Sequence, residues 1–401
     1  MKSGYRPLGE LIELVDVRNT DGSVQNLIGI SINKCFIKSV ANTIGTDLST
    51  YKIIERDDFA VSLMQVSRDE KVPVVCLKEH DKAIMSPAYQ IFRVKNLDEV
   101  FPDYLDLWFK RPEFDREATF IAVGGVRGSM PWEDFCRMQV RVPDIKEQKK
   151  IVYAYKVVED RINLKKRINE SLECIAQTAF NIEFIRFENN NNPLVDTELG
   201  CVPEDISVKR LSQIKPRIES GKRPEGGAVS TGYPSLGADC AKGLGCYTHS
   251  KAKFIPIDYA KNMKNGIIHG YELLAYKDGG KPSEFKPAFS IYGEGYPFSE
   301  FAINEHVFLI DFGHPESNWF AYFLFKSPYV YNILVADGGK SAIPGISKKS
   351  LANLYVIDPT CDVALSFGKK YLPFLRAILR NCKELLLLEE VKDRLLTTLS
   401  R

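Results

Sequence analysis

Four residues, Phe109-Lys110-Arg111-Pro112, return 216 positions later as Phe325-Lys326-Ser327-Pro328. A self-similarity on that scale constrains the fold before any local propensity does, because the chain must build one kind of unit twice. Each copy follows an aromatic, helix-like stretch, residues 104–108 and 320–324. Each is followed by a glycine pair and a proline, Gly124-Gly125 to Pro131 and Gly338-Gly339 to Pro344. Both then run into a β-like segment ending in proline, Val140-Arg141-Val142-Pro143 and Val356-Ile357-Asp358-Pro359. The offset persists beyond them: Tyr155 matches Tyr371, Val158 matches Phe374, and Ile162 matches Ile378. Further on, Leu172 matches Leu388, Ile175 matches Val391, and Ala179 matches Leu395. The apolar positions within each of these stretches advance by three or four residues, the spacing of one helix face. The chain therefore reads as a domain followed by a helix, written twice.

Each helix would run 35–40 residues, roughly 50–60 Å at 1.5 Å per residue. One small domain cannot bury a stripe that long, so the two helices are expected to pair with each other. The rhythm falters at Lys165 and Lys166, which argues against an unbroken heptad seam. Glu188 and four asparagines, ending at Pro193, read as a linker. The expected organisation is a globular domain over residues 1–145, a long helix over 146–187 and a linker over 188–204. A second domain over 205–360 and a second long helix over 361–401 complete it. The fold class is α/β (α+β): two globular domains separated by two long antiparallel helices in a coiled-coil-like spacer, with a pseudo-twofold internal repeat.

The 401 residues suit two domains, and 44% hydrophobic with 26% charged residues supplies apolar material for two cores. No apolar run approaches a membrane span, and the opening Met1-Lys2-Ser3-Gly4-Tyr5 carries no signal-like segment, so a cytoplasmic location is expected. Nine scattered cysteines without a C-x-x-C pair point to reduced thiols rather than a zinc site. The net charge of +2 means that charge alone makes no case for nucleic acid, where clustering on one face is what counts.

No motif supplies an active site. Adenine methyltransferases need a [DNS]-P-P-[YFW] loop and a glycine-rich loop for the methyl donor; Ser86-Pro87-Ala88-Tyr89 lacks the second proline and reads as a turn. A phosphate loop needs G-x-x-x-x-G-K-[ST], and Leu334 stands where Gly339-Lys340-Ser341 would require the first glycine. Glu390-Val391-Lys392 has a nuclease-like E-x-K spacing but falls on the second helix pattern, where alternating charge marks a solvated or partner-binding face. No metal site is expected either.

Three segments carry a family resemblance: Leu8-Gly9-Glu10-Leu11-Ile12-Glu13-Leu14, Val142-Pro143-Asp144-Ile145-Lys146-Glu147-Gln148, and Leu199-Gly200-Cys201-Val202-Pro203-Glu204. The second is similar to an "IPPLxEQxxI" entry into a long helix, the third to an "LGxIPExW" opening of a second half, and residues 26–46 resemble one common class of first recognition domain. In their order along the chain they resemble the specificity subunits of type I restriction–modification systems. Ile206 stands where that family often has tryptophan, and Pro359-Thr360-Cys361 opens the second helix without the Glu-Gln signature. The resemblance implies a non-catalytic subunit whose two target-recognition domains each read half of a split, asymmetric site on double-stranded DNA. It implies a helical spacer that docks two methyltransferase (modification) subunits, joined by translocating restriction-nuclease subunits. S-adenosylmethionine, ATP and Mg would then belong to those partners, with no cofactor in this chain. A fused methyltransferase or nuclease, and a scaffold that binds no DNA, are the competing readings.

Base reading needs Arg or Lys for guanine and Asn or Gln for adenine, with small polar groups on phosphate. In the first domain the candidates are Gln65, Ser67, Arg68 and Lys71 on a polar loop, then Arg18 with Asn19, and Arg127 with Ser129. In the second they are Lys222 and Arg223, then Lys277, Lys281 and Ser283, and Lys340 with Ser341 by repeat equivalence. Candidate partner-binding positions on the helices are Tyr155, Ile162, Leu172, Ile175, Tyr371, Ile378, Leu388 and Val391. The first helix is basic at its start, Lys146, Lys149, Lys150, Lys156, Arg161, Lys165, Lys166 and Arg167 outnumbering Glu147, Glu159 and Asp160, which suits a solvated face, spacer DNA or an acidic partner. The purified chain is expected to bind no methyl donor and to cut no DNA with added metal; calorimetry and a nuclease assay detecting either would overturn the recognition reading.

Overall fold

Each globular part is closed by pairing its first strand with its last. Tyr5–Pro7 lies antiparallel to Gln139–Arg141, with Arg6 opposite Val140. Val208–Arg210 lies antiparallel to Tyr355–Ile357, with Lys209 opposite Val356. The computed structural model describes residues 4–39, 47–122, 128–188, 190–279, 285–339 and 344–399. Its backbone falls into two compact units, Met1–Arg161 with Leu388–Arg401, and Ile162–Leu387. Each unit thus takes a share of both long helices, where the sequence expectation set the helices apart from the domains.

In the first unit an antiparallel sheet runs in the order Ile12–Val15, Gln90–Val94, Phe59–Val61, Val74–Cys76. In the second the order is Arg217–Ser220, Val307–Asp311, Leu273–Tyr276, Phe289–Ile291, again antiparallel throughout. Both sheets are backed by two helices that start on proline, Pro102–Phe109 with Pro112–Ile121 and Pro315–Lys326 with Pro328–Gly338. Proline suits a first helical turn because its missing N–H would have no partner there. The architecture is mixed α/β, one scaffold built twice.

What differs lies between the first and second strands of each scaffold in chain order, joined by one strand from between the third and fourth, Phe301–Ile303 in the second unit and Lys82–Met85 in the first. Residues 221–272 of the second unit replace the shorter 16–58 of the first. There the second unit has a four-stranded sheet in the order Lys253–Ile255, Tyr233–Leu236, Phe301–Ile303, Ile267–Ile268, containing one parallel pair. The first unit has two separate strand pairs, Ile28–Ile30 with Phe36–Lys38 and Lys52–Glu55 with Lys82–Met85. The repeat offset consequently drifts, from 203 between Tyr5 and Val208 to 216 between Pro112 and Pro328.

The first long helix, Ile145–Phe180, starts under a polar clasp. Asp144 accepts the amides of Lys146 and Glu147 at 3.0 Å each, filling two of the donors a helix start leaves open. Gln148 is fully buried; its amide accepts from Phe101 N and donates to the Glu99 and Pro143 carbonyls, all at 2.8 Å. That is the physical content of the Glu-Gln signature. The second long helix, Asp362–Thr398, has Ala364 at the corresponding depth and is entered instead through Asp358. Asp358 accepts from Lys209 Nζ at 2.8 Å and from the Thr360 hydroxyl at 2.7 Å and amide at 2.9 Å. The segment expected as a linker carries a short ribbon, Leu194–Thr197 against Gly200–Pro203.

Within the second unit the two helices run antiparallel. Lys165 pairs with Glu384 at 2.9 Å, Asn169 with Asn381 at 2.8 Å, and Glu183 with Lys370 at 3.7 Å. Lys165 also donates to Asn381, its own repeat mate 216 residues on, at 2.8 Å. The break in apolar rhythm at Lys165 is therefore a polar layer of the helix pair. Nearby, Phe180 at the end of the first long helix, Phe184 in the helical turn Asn181–Ile185 that follows it and Phe367 of the second enclose Phe320 and Phe323 with ring centroids 4.9–6.0 Å apart. In the first unit Val152 and Tyr155 share a core with Leu396 and Leu399.

Phe180→Ala should cost about 3–5 kcal/mol, read as a lowered urea midpoint, because the fully buried ring has no neighbour free to fill its space. Burial alone would raise the Asp358 carboxyl, but the Lys209 ammonium and the Thr360 hydroxyl and amide hold it below the usual carboxylate range. A depressed folded value stabilises above the unfolded pKa of about 3.9 and is lost as pH falls through the folded one. Asp358→Asn should therefore lower the midpoint at neutral pH and flatten its fall below about pH 4.

Candidate nucleic-acid interface

The polar loop of the first unit joins the inner strand Phe59–Val61 to the edge strand Val74–Cys76. Gln65 sits there in the left-handed region, φ +63°, a conformation that a non-glycine residue adopts only when its surroundings hold it. Its side-chain oxygen accepts from Arg68 Nη2, and Arg68 Nε also meets Asp69 at 3.1 Å. Arg68 remains two-thirds exposed, and Lys71 is half-buried. The loop that follows the helix Pro112–Ile121 comes back onto this one: Met130 N donates to Leu63 O at 2.9 Å, and a Cβ on Gly128 would overlap Ser67 Oγ. Ser129 lies between those two contacts. Arg127 lies outside the described residues.

The second unit repeats the arrangement. Lys277–Gly279 leaves the inner strand Leu273–Tyr276, and the loop after Pro328–Gly338 returns to it. Gly279 N donates to Pro344 O at 2.9 Å, and Ile346 N to Lys277 O at 2.7 Å. Gly345 must be glycine, since a Cβ would meet the Asp278 side chain and the Lys277 carbonyl. Lys281, Ser283, Lys340 and Ser341 lie outside the described residues. Lys222 is exposed, while Arg223 Nε pairs with Glu305 Oε1 at 2.9 Å. Lys277 Nζ donates to the Glu305 carbonyl at 2.9 Å, and His306 is held between Asp278 Oδ1 at 2.5 Å and Glu305 Oε1 at 3.4 Å. Arg223 and Lys277, far apart in sequence, are thus joined through Glu305-His306. A search for base-reading side chains passes over an acidic residue, and the turn between the strands Phe301–Ile303 and Val307–Asp311 marks this pair only by position.

Two expectations need correction. Asn19 is fully buried, donating to Val24 O at 3.0 Å and accepting from Val24 N at 3.1 Å, so its amide closes a loop and faces no ligand. Arg18 beside it is half-buried and tied to Thr50 O at 2.7 Å and Asp16 at 2.8 Å. On the helices, Tyr155, Ile162 and Ile378 are at most 6% exposed and packed by this chain's own side chains, so they offer a partner nothing. Leu172 and Tyr371 pack half-buried on the second unit's core, and Leu388 is half-buried. Ile175 and Val391 do face outward, 52% and 44% exposed. Sequence matching missed Leu164 and Ile168, also exposed, which share one face of the first helix with Ile175 at spacings of four and seven.

No family model matches the chain. Its sequence is 26% identical over 310 residues to the type I restriction enzyme MjaIX specificity subunit of Methanocaldococcus jannaschii, covering 75% of this chain and 69% of that protein. It is 24% identical over 227 residues to the HindI specificity subunit of Haemophilus influenzae, covering 54% and 47%. The chain is similar to type I restriction enzyme specificity subunits. Its fold is that of the S subunit of a type I restriction–modification system from M. genitalium, with a TM-score of 0.56 over 98% of this chain and 95% of that one at 12% identity. The resemblance first seen in three short segments therefore extends through most of the sequence and nearly all of the fold.

Asn19→Ala should lower stability by about 1–3 kcal/mol, because both backbone groups of the half-buried Val24 lose their partner. A urea titration checks this, and DNA affinity of the folded variant should match wild type.

Proposed function

We propose that the chain is the DNA-recognition subunit of a type I restriction–modification complex, with each unit reading one half of a bipartite, asymmetric site. One observation carries this reading most: both units hold the same two loops together at the same place on the same sheet, with different residues on them. A shared scaffold with unlike loops is what reading two different half-sequences requires. In the first unit Arg68, Lys71, Gln65 and Ser129 supply donors and acceptors suited to base edges and phosphates; in the second Arg223, Lys222 and Lys277 do so.

The two long helices act as the spacer in this reading, setting the gap between half-sites as dimer geometry does in other DNA-binding proteins. The outward apolar face at Leu164, Ile168 and Ile175 is offered to a methyltransferase (modification) subunit, and translocating nuclease subunits complete the assembly. The chain itself is non-catalytic in this scheme and works in the cytoplasm; S-adenosylmethionine, ATP and Mg are bound by the partners. No helix among the described residues is long and apolar enough to cross a membrane.

The test is methylation mapping of DNA exposed to the complex reconstituted with its methyltransferase subunits. A split motif is expected, and Arg68→Ala with Lys71→Ala should relax one half while leaving the other intact. Relaxation of both halves, or a continuous motif, would overturn the assignment. Inserting one helical turn into each long helix should change the gap and leave both half-sequences unchanged.

A further inference from the structure

In a chain with 54 basic and 52 acidic residues, a local surplus of charge stands out. One lies inside the second unit, around a cavity of about 280 Å³ lined by Arg223, Lys251 and Lys253 together with Tyr247, Asn304 and Ile255. The cations come from separate stretches of chain and converge on one enclosed space. Asp239 is the one carboxylate among the lining residues and is engaged by Lys242, while Arg223 is paired through Nε with Glu305 Oε1, so the unbalanced charge lies on Lys251 and Lys253. Lys251 and Lys253 have no ion-pair partner among the described residues, though both help to hold the Asp239 carboxyl below its usual range.

Two further features suit an occupant. Tyr247 lines the cavity, and its buried Oη has no hydrogen-bond partner among the described residues, so an unused donor and acceptor lie beside that space. One edge is the glycine-rich stretch Ser220-Gly221-Lys222-Arg223-Pro224-Glu225-Gly226-Gly227. Gly226 and Gly227 lie at φ +89° and +80° with open space where a side chain would be, leaving backbone exposed to an approaching anion. The walls are not all polar: Leu236 and Ile255 are buried beside the cavity and Tyr247 presents an aromatic body. Cations, an unsatisfied hydroxyl and an apolar wall in this volume match a phosphate joined to a sugar and base, more than a phosphate alone.

We propose that this cavity is a nucleotide pocket that takes one phosphodiester-linked deoxynucleotide of the DNA, its phosphate on Arg223, Lys251 and Lys253 and its sugar and base against Tyr247, Leu236 and Ile255. The assignment to DNA, as against a free nucleotide, rests on the recognition reading above. Asn304 stands where it can offer an amide to the base, and its side-chain oxygen also accepts from His306 N at 3.0 Å, which holds it in place.

The experiment has two arms. In the first, the full chain is titrated calorimetrically with deoxycytidine monophosphate and, separately, with inorganic phosphate. The nucleotide should bind more tightly than phosphate, and Lys251→Glu with Lys253→Glu, both exposed and outside the core, should weaken it roughly tenfold or more. Tyr247→Phe, which removes only the hydroxyl, should weaken it by less. Equal binding by wild type and the double variant overturns the pocket, and phosphate binding as tightly as the nucleotide reduces it to an anion site. In the second arm, DNA carrying 5-iododeoxyuridine is irradiated in the reconstituted complex and adducts are mapped by mass spectrometry. An adduct on Tyr247 is expected. A complex that binds DNA without that adduct overturns the DNA assignment while the recognition reading stands. A complex that binds no DNA, with the nucleotide titration intact, sinks the recognition reading and leaves a free-nucleotide site.

Discussion

The strand clasp at the base of each unit is the interaction on which the rest depends. Because Tyr5–Pro7 pairs with Gln139–Arg141, and Val208–Arg210 with Tyr355–Ile357, the chain enters and leaves each globular part at one place. Everything between is a closed excursion whose length and shape do not disturb its ends. The closing strand then feeds a long helix within a few residues, and the buried Gln148 or the ion-paired Asp358 sets where that helix begins. Local hydrogen bonds at two short ribbons therefore govern where elements more than thirty residues long start.

The second half of each unit was legible in the sequence and the first half was not, for a physical reason. From Pro112 and Pro328 onward both units are helix, loop, helix and closing strand of matched length, so a constant offset survives. Upstream, unequal insertions shift the register, and strands of three or four residues carry too little pattern to restore it. The meeting of residues 65–68 with 128–130 follows from the antiparallel pairing of Phe59–Val61 with Val74–Cys76, which turns the loop toward the end of the helical layer. The mutual support of Arg223, Glu305, His306 and Lys277 could not be read, because it depends on three turns that approach only after the sheets form.

Periodicity also misled where it was strongest. Tyr155, Ile162 and Ile378 keep helical spacing because they are core positions of their own chain, and a burial stripe has the same period as a docking stripe. The outward residues Leu164, Ile168 and Ile175 keep that spacing on another face. Repeat equivalence selects mostly positions that both copies need to hold the fold, with Ile175 and Val391 the outward-facing pair. Positions that meet something else are free to differ, as Lys165 and Asn381 differ even though they touch.

The contact between Lys165 and Asn381 has a further implication. Two antiparallel copies of one helix can bring a residue against its own counterpart at only one level, and at that level a symmetric ancestor would have set like against like. Two lysines there would repel, and two asparagines would satisfy each other. A lysine facing an asparagine, with Glu384 alongside, is an arrangement closed to two identical copies and open to halves that mutate separately. The asymmetry needed to read two unlike half-sequences is thus already present at the centre of the helix pair.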